Sequence, residues 1–442
     1  MIYVLPLLIS LTQGYCLLRL LTEKARPRLL WMLFTGGILG LGLSAQLTFT
    51  SLLVFQQLNV PYVIGLNLLA AIALMILAAK RASTADPLFP WKQTDAKELI
   101  ALAVLALLTV PVVIHATLYP YGGWDAWSCW NLKAQMIFVG GESWSNLFDP
   151  ALWRSNTAYP LLLPLMNVWI WCFGTTPMPV TPLVLSCLIT FLVMGLLFFS
   201  LKELTGRNRT LLAPAWFLSV FFFVQLASSQ YSDLLVGTFL LLALAAFLLY
   251  DRRRETGFLQ IALIALGLMS FTKSEGLVLS VITLACLAGA LLIRKDDRTL
   301  LGRSLVPLAV TLGLAFLVSI VFQIVFGTNS HTLINGFSSI EKPTSLLRLQ
   351  VIFVFLGKEL ISPKWNGLWL LAGAGLVFSG MKALRARLWL IPMLLVTYLA
   401  AVAGVYWMNT FFEIVWWLGT TLNRILFALT PTVIFWLFLA AL

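Results

Sequence analysis

Charge is scarce in this chain. Only 10% of the 442 residues are Asp, Glu, Lys or Arg, where soluble globular domains carry about a quarter. With 60% hydrophobic residues and a mean hydropathy of +0.95, a soluble domain is excluded and an integral membrane protein is indicated. Histidine is scarcer still. His115 and His331 stand alone, without partners at ligand spacing, so a histidine metal site is not expected. The five cysteines (Cys16, Cys129, Cys172, Cys187 and Cys286) lie mostly inside apolar segments with no paired metal-ligand spacing, which reads as core filling. The short alternating segments of a β-barrel are missing, as are heptads, a Gly-rich phosphate loop, low-complexity tracts and internal repeats.

What remains is a succession of apolar runs near the roughly 18 to 20 residues that cross a bilayer as a helix. The fold class expected is therefore all-α, a polytopic transmembrane helical bundle. The formal charge of +12 comes from basic clusters at 23–28, 80–81, 92–97, 202–209, 251–254, 294–303 and 382–387, all between apolar runs. That is the pattern of cytoplasmic loops rather than of nucleic-acid binding. Alternation across these clusters gives about 13 spans, near 3–21, 29–52, 58–79, 98–118, 178–200, 210–227, 233–250, 257–272, 276–293, 304–326, 366–381, 387–407 and 425–442. The N-terminus has no basic n-region and no small-residue cleavage site, so it reads as the first span and not as a removed signal peptide.

One apolar segment, 159–174, must not cross, because counting it would place the 202–209 cluster on the wrong side. It is short and starts with Pro160 and Pro164, so a re-entrant or interfacial helix is expected there. Two outer segments are large. Residues 119–159 carry Trp124, Trp127, Trp130, Trp144 and Trp153, which favours amphipathic helices at headgroup level; residues 327–365 contain "SLLRLQVIFVFLGKEL", a second surface-lying candidate.

Ionisable side chains near the membrane cost several kcal/mol unless paired or solvated, and few occur here. Asp125 follows the fourth span in "YGGWDAWSCWNLKA", Asp233 opens the seventh, Lys273 and Glu275 occupy the hairpin "SFTKSEGLVLS", and Arg424 begins the last span. The alternation puts all five at one outer face. Such a set suits transfer of a group from a phosphate-bearing lipid: a carboxylate serves as general base, and Lys273 and Arg424 hold the leaving phosphate. Trp124, Trp127 and Trp130 offer flat faces for sugar rings or a polyprenyl chain, with Lys133, Tyr159 and Glu275 as further substrate contacts. The plainer readings stand beside these. Asp125 and Asp233 could cap helices, Lys273 and Glu275 could be a snorkelling pair, and Arg424 could be an anchor.

The ordered motifs "GGWDAWSCWNLKAQMIF", "YPLLLPL", "QYSDLLVGTFLLLAL", "LMSFTKSEGLVL" and "TTLNRILFALTP" together resemble the GT-C superfamily of membrane glycosyltransferases. The likeness is to the bacterial branch related to the protein mannosyltransferases and the lipid A aminoarabinose transferase. It runs over 98–442 and leaves 1–97 as an N-terminal three-span addition. The resemblance implies that Asp125 activates the acceptor, that Asp233 is a second acid, that Tyr159, Pro160 and Pro164 match a proline-rich helix start, and that Lys273 with Glu275 forms a Lys-x-Glu-Gly hairpin near the donor phosphate. Oligosaccharyl transferases of the superfamily bind a divalent ion; the single acid in this first loop leads us to expect chemistry with no metal and no cofactor. The donor implied is a polyprenyl-phosphate-linked sugar, used with inversion, and the acceptor a glycan, lipid or protein outside a bacterial inner membrane. A transporter or flippase would call for inverted repeats and charged midplane helices, neither of which is visible. An O-antigen ligase-like transferase would call for arginines in a large outer loop, where only Arg348 is available.

Overall fold

The computed structural model describes residues 3–23, 27–81, 94–327, 346–385, 387–409 and 412–441. His331, residues 328–345 of the second outer segment, and the basic residues Lys24, Arg26 and Lys92 lie outside the described residues. Among the described residues there is no strand. The helices run α1 (Val4–Leu21), α2 (Leu29–Phe55), α3 (Val60–Arg81), α4 (Ala96–Leu118), α5 (Asn131–Val139), α6 (Leu162–Trp171), α7 (Val180–Thr205), α8 (Leu212–Leu218), α9 (Phe221–Ser228), α10 (Asp233–Arg253), α11 (Gly257–Ser270), α12 (Ser274–Ile293) and α13 (Lys295–Phe326). They continue with α14 (Leu346–Leu360), α15 (Leu368–Arg385), α16 (Leu390–Met408) and α17 (Ile414–Ala441). The chain is an all-α polytopic bundle.

Among the described residues, ten helices are long and apolar enough to cross a membrane. All 13 expected segments are helical among the described residues, but two fall short of a full span. Segment 210–227 is broken into α8 and α9 at Ser219 and Val220, whereas α15 is a continuous helix of 18 residues. α11 has 14 residues, about 21 Å at 1.5 Å per residue against a hydrocarbon core of about 30 Å. The last span also differs, because α17 starts at Ile414 and places Arg424 inside the helix.

Segment 159–174 forms only the ten-residue α6, and every residue of it is buried. It is therefore enclosed by protein along its length. Trp169 explains part of this: its indole N–H donates to Ser10 Oγ at 3.0 Å, joining α6 to a buried network of Ser10, Ser44, Gln13 and Asn67 on α1 to α3. Buried polar groups without water must pair in this way. α1 and α2 cross with backbones in contact, since a Cβ on Gly40 would lie 1.7 Å from the Ser10 carbonyl oxygen, the close approach that small residues permit in membrane bundles.

α10 is the central helix. It is buried from Asp233 to Tyr250, packed by α7, α11 and α17, as its all-round apolar sequence requires. Charged residues sort to the two ends of the bundle. At one end Asp297 and Asp251 bind Arg387, Arg254 and Arg294, and Glu98 binds Lys202 and Arg28. At the other end, where α4 stops and α10 begins, lies the candidate site.

Candidate active site

The loop after α4 turns on "YGG". Gly122 has φ +70°, and a Cβ on Gly123 would sit 2.2 Å from the Tyr231 hydroxyl, so glycine is needed for the loop backbone to lie against residues 229–231. Three hydrogen bonds fix the approach. Gly123 N–H donates to the Ser229 carbonyl at 3.1 Å, Asp125 N–H donates to the Tyr231 hydroxyl at 3.3 Å, and the Gln230 amide donates to the Pro120 carbonyl at 2.9 Å. A π-helical turn over Ala126–Trp130 then leads into α5.

Asp125 is thereby delivered to Arg424. The Arg424 Nη1 donates to Asp125 Oδ2 at 2.6 Å, while Nη2 and Nε donate to Asp233 Oδ2 at 2.9 and 3.2 Å. Behind them Lys273 Nζ donates to Asp233 Oδ1 at 3.0 Å and pairs with Glu275 Oε1 at 3.3 Å. The Tyr159 hydroxyl closes the series on Glu275 Oε1 at 3.3 Å. Acids and bases alternate along this chain: Asp125, Arg424, Asp233, Lys273, Glu275. Three carboxylates against two cations leave one negative charge.

A cavity of about 960 Å³ opens over one side of the chain. Asp125, Arg424, Glu275, Tyr159 and Trp124 line it; Asp233, Lys273, Trp127, Trp130 and Lys133 do not. Its other walls are aromatic (Trp153, Tyr231, Tyr398, Tyr406, Trp416, Trp417) and, along α12 and α16, aliphatic (Val278, Ala401, Val402, Val405). Burial pushes the Tyr231 phenol up from its ordinary range, with the Asp125 charge adding to it. Burial and the Glu275 carboxylate hold Tyr159 well above its ordinary range, so both phenols stay protonated donors at neutral pH.

Five expected contacts do not line the cavity. Lys133 is 1% exposed, and its ammonium donates to the Asn156 and Tyr159 carbonyls at 2.7 and 3.1 Å, which ties down the loop away from the cavity lining. Burial lowers its pKa. Trp130 is fully buried and stacks on Tyr159 at 5.4 Å between centroids, so it supports the cavity wall from behind. Trp127 is half exposed and meets Trp124 edge to face, outside the cavity. Lys273 and Asp233 are buried, with side chains 5% and 4% exposed, and Asp233 accepts from both Lys273 and Arg424. Neither lines the cavity; they lie on the side of Arg424 away from Asp125.

Two cavity residues escaped the sequence reading. Arg154 is exposed on the wall, its guanidinium over the Trp153 ring at 5.3 Å; an arginine in an outer segment otherwise poor in basic residues was the available signal. Tyr231 stands two residues before Asp233 and lies under Arg424, 4.4 Å from centroid to guanidinium carbon. Arg348, by contrast, donates to the Tyr406 and Asn409 carbonyls at the end of α16, and the ligase-like reading loses its arginine. Among the described residues, no group of three or more His, Cys, Asp or Glu side chains is placed to hold a metal ion.

Residues 164–322 match the family model of the dolichyl-phosphate-mannose-protein mannosyltransferases. That match spans 159 of the 442 residues, makes this stretch similar to membrane glycosyltransferases of the GT-C type, and supports membership of that superfamily. The matched stretch contains Asp233, Lys273 and Glu275 and excludes Asp125 and Arg424. None of the curated proteins and none of the solved structures compared matches this chain. Membership implies a lipid-linked sugar donor and an acceptor at a membrane.

Proposed function

We propose that this glycosyltransferase moves a sugar from a polyprenyl-phosphate carrier, of the undecaprenyl class, to an acceptor on the outer side of a bacterial inner membrane. The observation that carries the reading is the Asp125–Arg424 pair, 2.6 Å apart on the wall of one large cavity with aromatic and aliphatic faces. A carboxylate beside a guanidinium supplies the two groups that sugar transfer from a phosphate needs. The acceptor's O–H bond breaks to Asp125 as its oxygen forms the bond to the anomeric carbon, and the bond from that carbon to the phosphate oxygen breaks on the opposite face. The sugar is inverted, and the phosphate leaves with the electron pair toward Arg424. Arg154, at the cavity wall, is a second contact for the phosphate, and the fork of an arginine suits its oxygens.

The aromatic residues on the loop side fit a sugar ring, and Val278, Ala401, Val402 and Val405 fit the first isoprene units. The basic clusters at the end of the bundle away from the cavity support an outward-facing site. Residues 98–442 would form the catalytic core and 1–97 its N-terminal addition, which holds α6 through the Trp169–Ser10 bond.

The test is to reconstitute the full chain with a panel of polyprenyl-phosphate sugars and follow release of the free polyprenyl phosphate. Consumption of one donor in the presence of an acceptor extract is expected. A chain that binds and consumes none of the panel is not a transferase of this kind.

A further inference from the structure

Arg424 meets two carboxylates in different ways. Its Nε and Nη2 edge rests on Asp233 Oδ2, and Asp233 is in turn held from behind by Lys273 on Oδ1. That side is buried and fixed. Its Nη1 edge is occupied by the cavity-lining Asp125, which stands in helical conformation at the start of the π-helical turn and has a side chain 19% exposed. Among the described residues, the Asp125 carboxylate has no hydrogen-bond donor other than Arg424. Its Oδ2 is taken up by the Arg424 Nη1 hydrogen at 2.6 Å, so the carboxylate is held against the guanidinium instead of toward an incoming hydroxyl. The base of the proposed reaction is thus masked as long as Arg424 has no other anion.

We infer that Arg424 exchanges Asp125 for the donor phosphate, so that donor binding is the event that releases Asp125 as a base. This rests on the reading of the cavity as a polyprenyl-phosphate site. The guanidinium need not move as a whole: the Asp233 side stays in place while Nη1 changes partner. The donor is a phosphodiester with one negative charge, able to replace one carboxylate. After transfer the proton sits on Asp125, which is then neutral and no longer competes, while the polyprenyl phosphate has gained charge and is held by Arg424. Loss of that proton to solvent restores the Asp125 carboxylate, which returns to Nη1 and helps to expel the lipid phosphate. Water and acceptor hydroxyls entering the cavity without donor meet an ion pair instead of a free base.

The exchange has an unusual consequence for the variant that should abolish catalysis. With the competing charge gone, Asp125→Asn should bind farnesyl phosphate more tightly than wild type, by at least about fivefold, the lower range of coupling between linked sites. Farnesol, which lacks the phosphate, should bind both proteins equally. Equal or weaker binding of farnesyl phosphate by the variant overturns the exchange. Because that variant can disturb the loop, a second measurement uses wild type alone: labelling of Asp125 by a hydrophobic carbodiimide, quantified by mass spectrometry, should rise when farnesyl phosphate is added. Unchanged or reduced labelling at saturation also overturns it. If neither farnesyl phosphate nor decaprenyl phosphate binds wild type or variant, the reading of the site fails, and the exchange with it.

Discussion

Asp233 and Lys273 give the sharpest contrast between a positioning role and a substrate-contact role, and a double-mutant cycle separates the two. Asp233→Asn removes the charge shared by Lys273 at 3.0 Å and Arg424 at 2.9 Å. Deleting one partner of a buried pair costs about 3 to 5 kcal/mol. Arg424 retains Asp125 at 2.6 Å and Lys273 retains Glu275 at 3.3 Å, so the low end, about 3 kcal/mol, applies. Lys273→Met leaves Asp233 with Arg424 and costs about 2 kcal/mol, the range for a hydrogen bond between charged groups. In the double variant no charge is stranded between them, and the loss should fall below the sum by about 1 to 3 kcal/mol. Equilibrium unfolding by SDS titration of the solubilised chain reads these differences. Additivity within about 0.5 kcal/mol, together with a raised donor KM and unchanged stability in Lys273→Met, would return Lys273 to the phosphate and refute the positioning role.

Further outcomes follow from the loop and the cavity wall. Gly123→Ala places a Cβ where the Tyr231 hydroxyl now sits, 2.2 Å away; a shift of the loop by about 1 Å should lower kcat/KM by about 100-fold, and unchanged kinetics would contradict the close approach. Arg154→Gln should raise the donor KM by about tenfold, equivalent to about 1.4 kcal/mol, with kcat within about twofold, as for a contact made equally in ground and transition states. Lys133 has a folded pKa below its ordinary 10.5, so the unfolded chain binds more protons in that window and stability should rise with pH toward 10.5. Lys133→Met should flatten that slope in thermal unfolding from about pH 8 upward; an unaltered slope would show that Lys133 is not its source.

The helices were legible because each apolar run carries its own signal, and the basic clusters set their alternation. The breaks were less so. Ser219 and Val220 interrupt 210–227 inside an apolar stretch, and the short α11 is lengthened in sequence by "FTKSEG", whose apolar start reads as more helix. The five ionisable residues were identified as one group by their shared membrane side, and they do form one chain of ion pairs. Which of them face the cavity was beyond sequence reading, because it depends on burial between α10, α12 and α17. Asp125 and Arg424 are 299 positions apart, and only folding makes them a pair. Tryptophan density suggested a platform but did not separate Trp124 on the wall from Trp130 behind it. Lys133 looked available because lysine is usually exposed; two backbone carbonyls of the loop that follows α5 take it up.

The central claim is that Asp125 takes the acceptor's proton in this cavity. It is tested most directly by single-turnover sugar transfer with Asp125→Asn, measured beside donor binding on the same preparation. The account predicts a loss of at least about 100-fold in the transfer rate, the scale of one general base, with donor binding retained or tightened. Transfer at the wild-type rate with donor bound would contradict it.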